Sequence, residues 1–146
     1  MSISRKILCL VYGLLGLLAL IGTWGNNRHY FDLGFVGATI RFWQETLANP
    51  ASRSITVDIL FLTLAAVVWM LLEARRLNMK WVWLYVIFGF LVAISLTFPL
   101  FLIHRERVLA AREASSAGGI LNPLDIVGLL ILGVGSVWYA VMTLGR

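Results

Sequence analysis

The stretch ITVDILFLTLAAVVWMLLEARRLNMKWVWLYVIFGFLVAISLTFPLFLI, residues 55–103, sets two long apolar runs on either side of a short polar insert at 73–80. Each run is close to the ~20 residues a helix needs to cross a bilayer. Neither alternates polar and apolar side chains as a half-buried strand would. The same pattern recurs on both sides, so spans are expected at about 7–24, 50–72, 81–103 and 123–144. With 60% hydrophobic and 13% charged residues, the chain has too little polar surface to enclose this much apolar area in water. In hydrocarbon every backbone N–H and C=O must be satisfied internally, which leaves helices or a closed barrel. Continuous Leu-rich runs select helices. The expected fold is all-α: one membrane domain over 1–146, an integral membrane four-helix bundle.

The net charge of +5 does not call for a nucleic-acid partner. Arg5 and Lys6, then Arg75, Arg76 and Lys80, then Arg105 and Arg107 stand at the ends of apolar runs, where cations meet anionic headgroups. The bilayer is the expected partner. A single cysteine, Cys9, excludes an internal disulfide or a dithiol redox relay. The first run follows Arg5-Lys6 as a signal peptide would. It is longer than a signal core, however, and Gly22-Thr23-Trp24-Gly25 is a poor cleavage site, so an uncleaved first span is expected.

Four crossings would put Arg5, Lys6, Arg75, Arg76, Lys80 and Arg146 on one side. Arg28, Arg41, Arg53, Arg105, Arg107 and Arg112 would lie on the other, six against six. The density of basic residues in the central turn and before the first span breaks the tie. It places both termini in the cytoplasm, with the chain in a bacterial inner membrane.

Between the first two spans, Val36, Ile40, Trp43 and Leu47 recur at helical spacing with Arg41, Gln44 and Glu45 between them. This predicts a short amphipathic helix over 32–47 lying at the interface. Asn49-Pro50 and Asn122-Pro123 each pair a helix cap with proline at the first helical position. Pro99 predicts a kink in the third span. Trp69, Trp81 and Trp83 form one interfacial belt and Trp24 and Trp43 the other, with Trp138 deeper and packed between helices.

Few polar groups lie where chemistry could be done. Asp58 and Asp125 fall near one membrane face, and an ionisable group within a span is a functional candidate by default. Asp125 also suits the first turn of its helix, where a carboxylate complements the dipole. Arg53 or Arg105 are the expected partners of Asp58, and an Asp58–Arg105 pair would tie spans two and three at the end away from their turn. His104 and Glu106 complete this candidate cluster with Pro99. On the opposite face Glu73 and Arg76, three residues apart, are expected to pair. His29 and His104 do not make a metal site, no span carries a histidine for haem, and no nucleophile-and-base pattern is present. No cofactor, metal or catalytic residue is expected.

Asp58, the turn Glu73-Ala74-Arg75-Arg76-Leu77-Asn78-Met79-Lys80, and Pro99-Leu100-Phe101-Leu102-Ile103-His104-Arg105-Glu106 together resemble a bacterial family of small membrane proteins catalogued as domain of unknown function 2834. The similarity covers roughly 7–109, with the fourth run beyond it. It implies the same membrane architecture and weight for Asp58, Pro99 and Arg105, and supplies no reaction. The expected role is a non-enzymatic accessory or structural subunit, assembling with itself or with other membrane subunits. The alternatives are a small proton-coupled transporter using Asp58 with Pro99 as hinge, or a binder or enzyme for a lipid, quinone or carotenoid.

Overall fold

A computed structural model describes residues 1–112 together with Val127, Leu130, Ile131, Val134 and Trp138. Every element among the described residues is helical, without strands. Helix α1 spans Ile3–Asn27, capped by Ser2, whose hydroxyl accepts from the Arg5 N–H at 3.4 Å. A 3-10 segment, Arg28–Leu33, leads to Gly34, where a positive φ of 66° turns the chain into α2, Gly34–Thr46. Helix α3, Pro50–Arg76, begins as its sequence predicts: Asn49 Oδ1 accepts from the Ser52 N–H at 2.9 Å and Pro50 occupies the first turn.

The polar insert closes α3 with a Schellman turn. The Met79 N–H donates to the Ala74 carbonyl at 2.8 Å and the Asn78 N–H to that of Arg75 at 3.2 Å, with Asn78 at φ 49°. Asparagine is the side chain that tolerates this left-handed position best after glycine. Trp81, also at positive φ, then starts the next helix.

From Trp81 onward the chain departs from the expected single span over 81–103. Helix α4, Val82–Phe88, passes into one π turn, Gly89–Ala93; Ala93 is extended, and α5, Ile94–Ala111, runs back. The Tyr85 hydroxyl lies 3.1 Å from His104 Nδ1, nineteen residues on, where one continuous helix would hold them about 28 Å apart. Tyr85 and Phe101 meet edge to face at 5.7 Å, and a Cβ on Gly89 would lie 3.0 Å from Thr97 Oγ1. The segment is therefore a helical hairpin. Glycine at 89 lets its arms touch, and the break falls at Ala93, not at Pro99, which stays inside α5 and packs beside Gly16 of α1.

By length and composition three helical stretches could cross a membrane, Ile3–Thr46, Pro50–Arg76 and Val82–Ala111. No more than 22% of the most apolar part of any of them is buried inside the protein. Leu14, Leu17, Leu18, Phe61, Leu62 and Leu64 are exposed over most of a helical surface, as in a protein solvated by lipid. The chain is a membrane protein of three long apolar helical stretches, the third folded on itself. The expected fourth span, 123–144, lies outside the described residues but for five positions. All five are exposed, Trp138 among them at 64%, so its expected packing between helices is not what the structure has. Asp125 and the Asn122-Pro123 helix start also lie outside the described residues.

A small core sits at the hairpin's open end: Met70, Ala74, Leu77, Met79, Val82 and Phe101. Phe101 and Met70 are fully buried. Helix α1 runs antiparallel to α5, bringing Arg5 to Glu106 and Gly16 to Leu96.

Candidate functional site

Two places gather polar groups, one at each end of the helices. At the open end of the hairpin, Glu73 on α3 accepts two bonds from Arg76, at 2.7 Å from Nε and 2.6 Å from Nη2. It also accepts one from Arg105 Nε on α5 at 2.6 Å. Arg105 Nη1 donates to Glu106 at 2.7 Å, and Arg5 Nε of α1 lies 3.9 Å from the other Glu106 oxygen. The Arg105 guanidinium also stands 5.9 Å over the Trp69 ring, and Trp69 packs on Phe98 and Phe101. Arg112 Nη2 donates at 2.6 Å to the Leu77 carbonyl, one of those a helix end leaves unpaired.

Glu73 and Glu106 are buried, while Arg76 points largely to solvent. Two buried carboxylates thus share three guanidinium groups from three helices. Planar, multidentate arginine suits this bridging better than lysine would.

The cluster corrects the expected pairing. Arg105 joins Glu73 and Glu106, not Asp58, because the fold-back carries α5 to the end where α3 finishes. Asp58 lies on the exposed surface of α3 and has no hydrogen bond or ion pair among the described residues. His104 bonds Tyr85 across the hairpin. Glu73 and Arg76 do pair, but at the same end as Arg105 and Glu106, not opposite them.

The hairpin also redistributes charge. Arg5, Lys6, Arg75, Arg76, Lys80, Arg105, Arg107 and Arg112 now share one end with Glu73 and Glu106. The other end holds Arg28, Arg41 and Arg53 with Asp32, Glu45 and Asp58. Among the described residues one end is strongly basic and the other neutral.

At the neutral end, the hairpin bend faces an open cavity of about 460 Å³ bordered by α1, the 3-10 segment, α2 and α3. Aromatic side chains dominate its wall: Trp24, Tyr30, Phe31, Phe35, Phe42, Trp43 and Phe90. Asn27, Thr39, Thr63 and Ser95 add polar groups. Trp24 Nε1 donates to the Val92 carbonyl at 3.2 Å, tying α1 to the bend. Tyr30 bonds Glu45, which also takes Arg41 Nε at 2.7 Å, fixing α2 over the opening. Thr63 is buried, lines the cavity, and makes no hydrogen bond among the described residues. All of Gly89–Ser95 lines this space, so the irregular backbone of the bend borders the cavity, with Phe90 and Leu91 also exposed on the surface. Asp58 is not part of the wall. None of these cavity residues was singled out by sequence as a site; the aromatics read equally well as an interfacial belt. Among the described residues no group of three His, Cys, Asp or Glu gathers as a metal site would.

Long apolar helices, a helical hairpin and a cavity under its bend define a helical membrane protein whose third apolar stretch is folded on itself. The chain belongs to the family described as Protein of unknown function DUF2834, whose model matches residues 11–107, from α1 into α5. No curated protein and no solved structure matches it.

Proposed function

We propose that this chain is a non-catalytic multi-pass protein of a bacterial inner membrane that holds a lipophilic small molecule in the aromatic cavity beneath the hairpin bend. One observation carries the reading: a broken helix whose bend, Gly89–Ser95, lines a cavity of ligand size. Broken helices at membrane depth recur where a protein binds something there, and pockets of roughly 300–1,000 Å³ lined by aromatics with a few polar groups suit small apolar ligands. The basic end faces the cytoplasm under the positive-inside rule, and the cavity lies toward the outer face.

Organic extraction of protein purified in mild detergent tests the proposal. A lipophile is expected from the natural chain and not from Ala38→Trp, which fills the cavity from α2. Equal amounts from both proteins, or none from either, contradict it.

A second role, as a subunit of a membrane assembly, is favoured by Asp58. Its carboxylate is exposed on an apolar helix about 12 Å beyond Pro50, where an ionisable group calls for a neighbour. Asp58→Asn is then expected to lower the assembly's mass in mild-detergent sizing. An unchanged mass removes this role.

A further inference from the structure

The outer flank of the hairpin carries a second concavity, of about 620 Å³, which shares no residue with the arginine–glutamate cluster and meets the aromatic cavity only at Val92. Both arms build it, so it exists only because the chain folds back at Ala93. Its floor is Leu84 and Phe88 from α4 and Leu96 and Leu100 from α5. Its head lies at the basic end, where Lys80 and Trp81 form the lip over the Tyr85–His104 pair.

No acidic residue lines it, and Lys80 has no hydrogen bond or ion pair among the described residues. Trp81 is 74% exposed, standing at the lip on a left-handed backbone. From Val82, just past the Lys80–Trp81 lip, to Val92 the groove follows about 15 Å of helix axis, half of a hydrocarbon core about 30 Å thick.

From this we infer that the groove is a site for one anionic phospholipid of the basic-side leaflet, its phosphate on Lys80 and one acyl chain along Leu84, Phe88, Leu96 and Leu100. Charge selects the occupant, since a lone cation over an apolar channel complements an anionic head with a tail. Length selects it too, because the channel ends at the depth where one leaflet ends. An indole at the lip fits the headgroup region, where tryptophan is enriched. This inference is independent of the cavity ligand.

Native mass spectrometry of the full chain tests it, after delipidation and with phosphatidylglycerol or phosphatidylcholine of matched chains added. One phosphatidylglycerol is expected to stay bound under activation that strips phosphatidylcholine. Lys80→Gln is expected to weaken retention about fivefold, what one lysine contributes near an anionic surface. Leu84→Trp keeps every charge and fills the channel, and is expected to abolish retention, while Arg28→Gln at the other end changes nothing. Unaltered melting of the variants confirms that each is folded. Equal retention of the two lipids overturns the inference, as does full retention by Leu84→Trp, which would mean a diffuse charge effect. A cysteine at Leu100 that cross-links a second copy in place of lipid also overturns it.

Discussion

Glu73 is the residue on which three helices depend. It takes both Arg76 donors and Arg105 Nε, and Arg105 passes the contact to Glu106 and so to Arg5. Removing one partner of a buried charge network leaves the others uncompensated, at a cost of about 3–5 kcal/mol when fully buried. Arg76 is exposed and discounts part of that cost, so Glu73→Gln is expected to destabilise by about 2–3 kcal/mol, read as a fall in melting temperature in detergent. The Arg41–Glu45 pair is the internal control. It is an exposed i,i+4 contact, and Arg41→Ala is expected to change stability by no more than about 0.5 kcal/mol.

Glycines divide in the same way. A Cβ at Gly16 would meet Leu96 at 3.4 Å, ordinary contact, whereas one at Gly89 would meet Thr97 at 3.0 Å and Ile94 at 3.1 Å. Gly16→Ala is expected to be nearly neutral in the same melting assay, and Gly89→Val to cost about 1–3 kcal/mol by prising the arms apart.

At the scale of elements, the hairpin makes its own prediction. With Cys9 replaced by serine, cysteines introduced at Gly89 and Thr97 are expected to form an intramolecular disulfide under mild oxidation. A matched pair at Gly89 and Leu109 is not. The helices themselves were legible in sequence, down to the Asn49-Pro50 start of α3 and the i,i+3 pairing of Glu73 with Arg76, because caps and short-range pairs are set by neighbours along the chain.

The fold-back was not legible. Residues 81–103 form an uninterrupted apolar run of spanning length, Pro99 drew the expected kink to itself, and nothing local marks Ala93. Arg105 could not be paired with Glu73, 32 residues away, without knowing that α5 returns. A signal did exist in the six-against-six tie of basic residues. Placing Arg105, Arg107 and Arg112 with Arg75, Arg76 and Lys80 removes the tie, and only an even passage between them allows it. The aromatic cavity was hidden for another reason: Trp24 and Trp43 satisfy the belt rule whether or not they enclose a space.

For the whole molecule, the hairpin makes the third apolar stretch a pair of antiparallel arms that start and finish at the basic end, beside α1 and α3. The apolar part of the hairpin, α4 with its π turn, is about 18 Å long, too short for a hydrocarbon core of about 30 Å. That geometry is what places irregular backbone against the cavity and all eight basic residues at one end. Sidedness labelling measures it directly. Single cysteines at Lys80 and Arg107, in a Cys9→Ser background, are exposed to a membrane-impermeant maleimide in right-side-out and inverted vesicles. Both positions are expected to label only from the cytoplasmic side; labelling of Lys80 and Arg107 from opposite sides would mean that the segment between them crosses the membrane once, and the helical hairpin would be wrong.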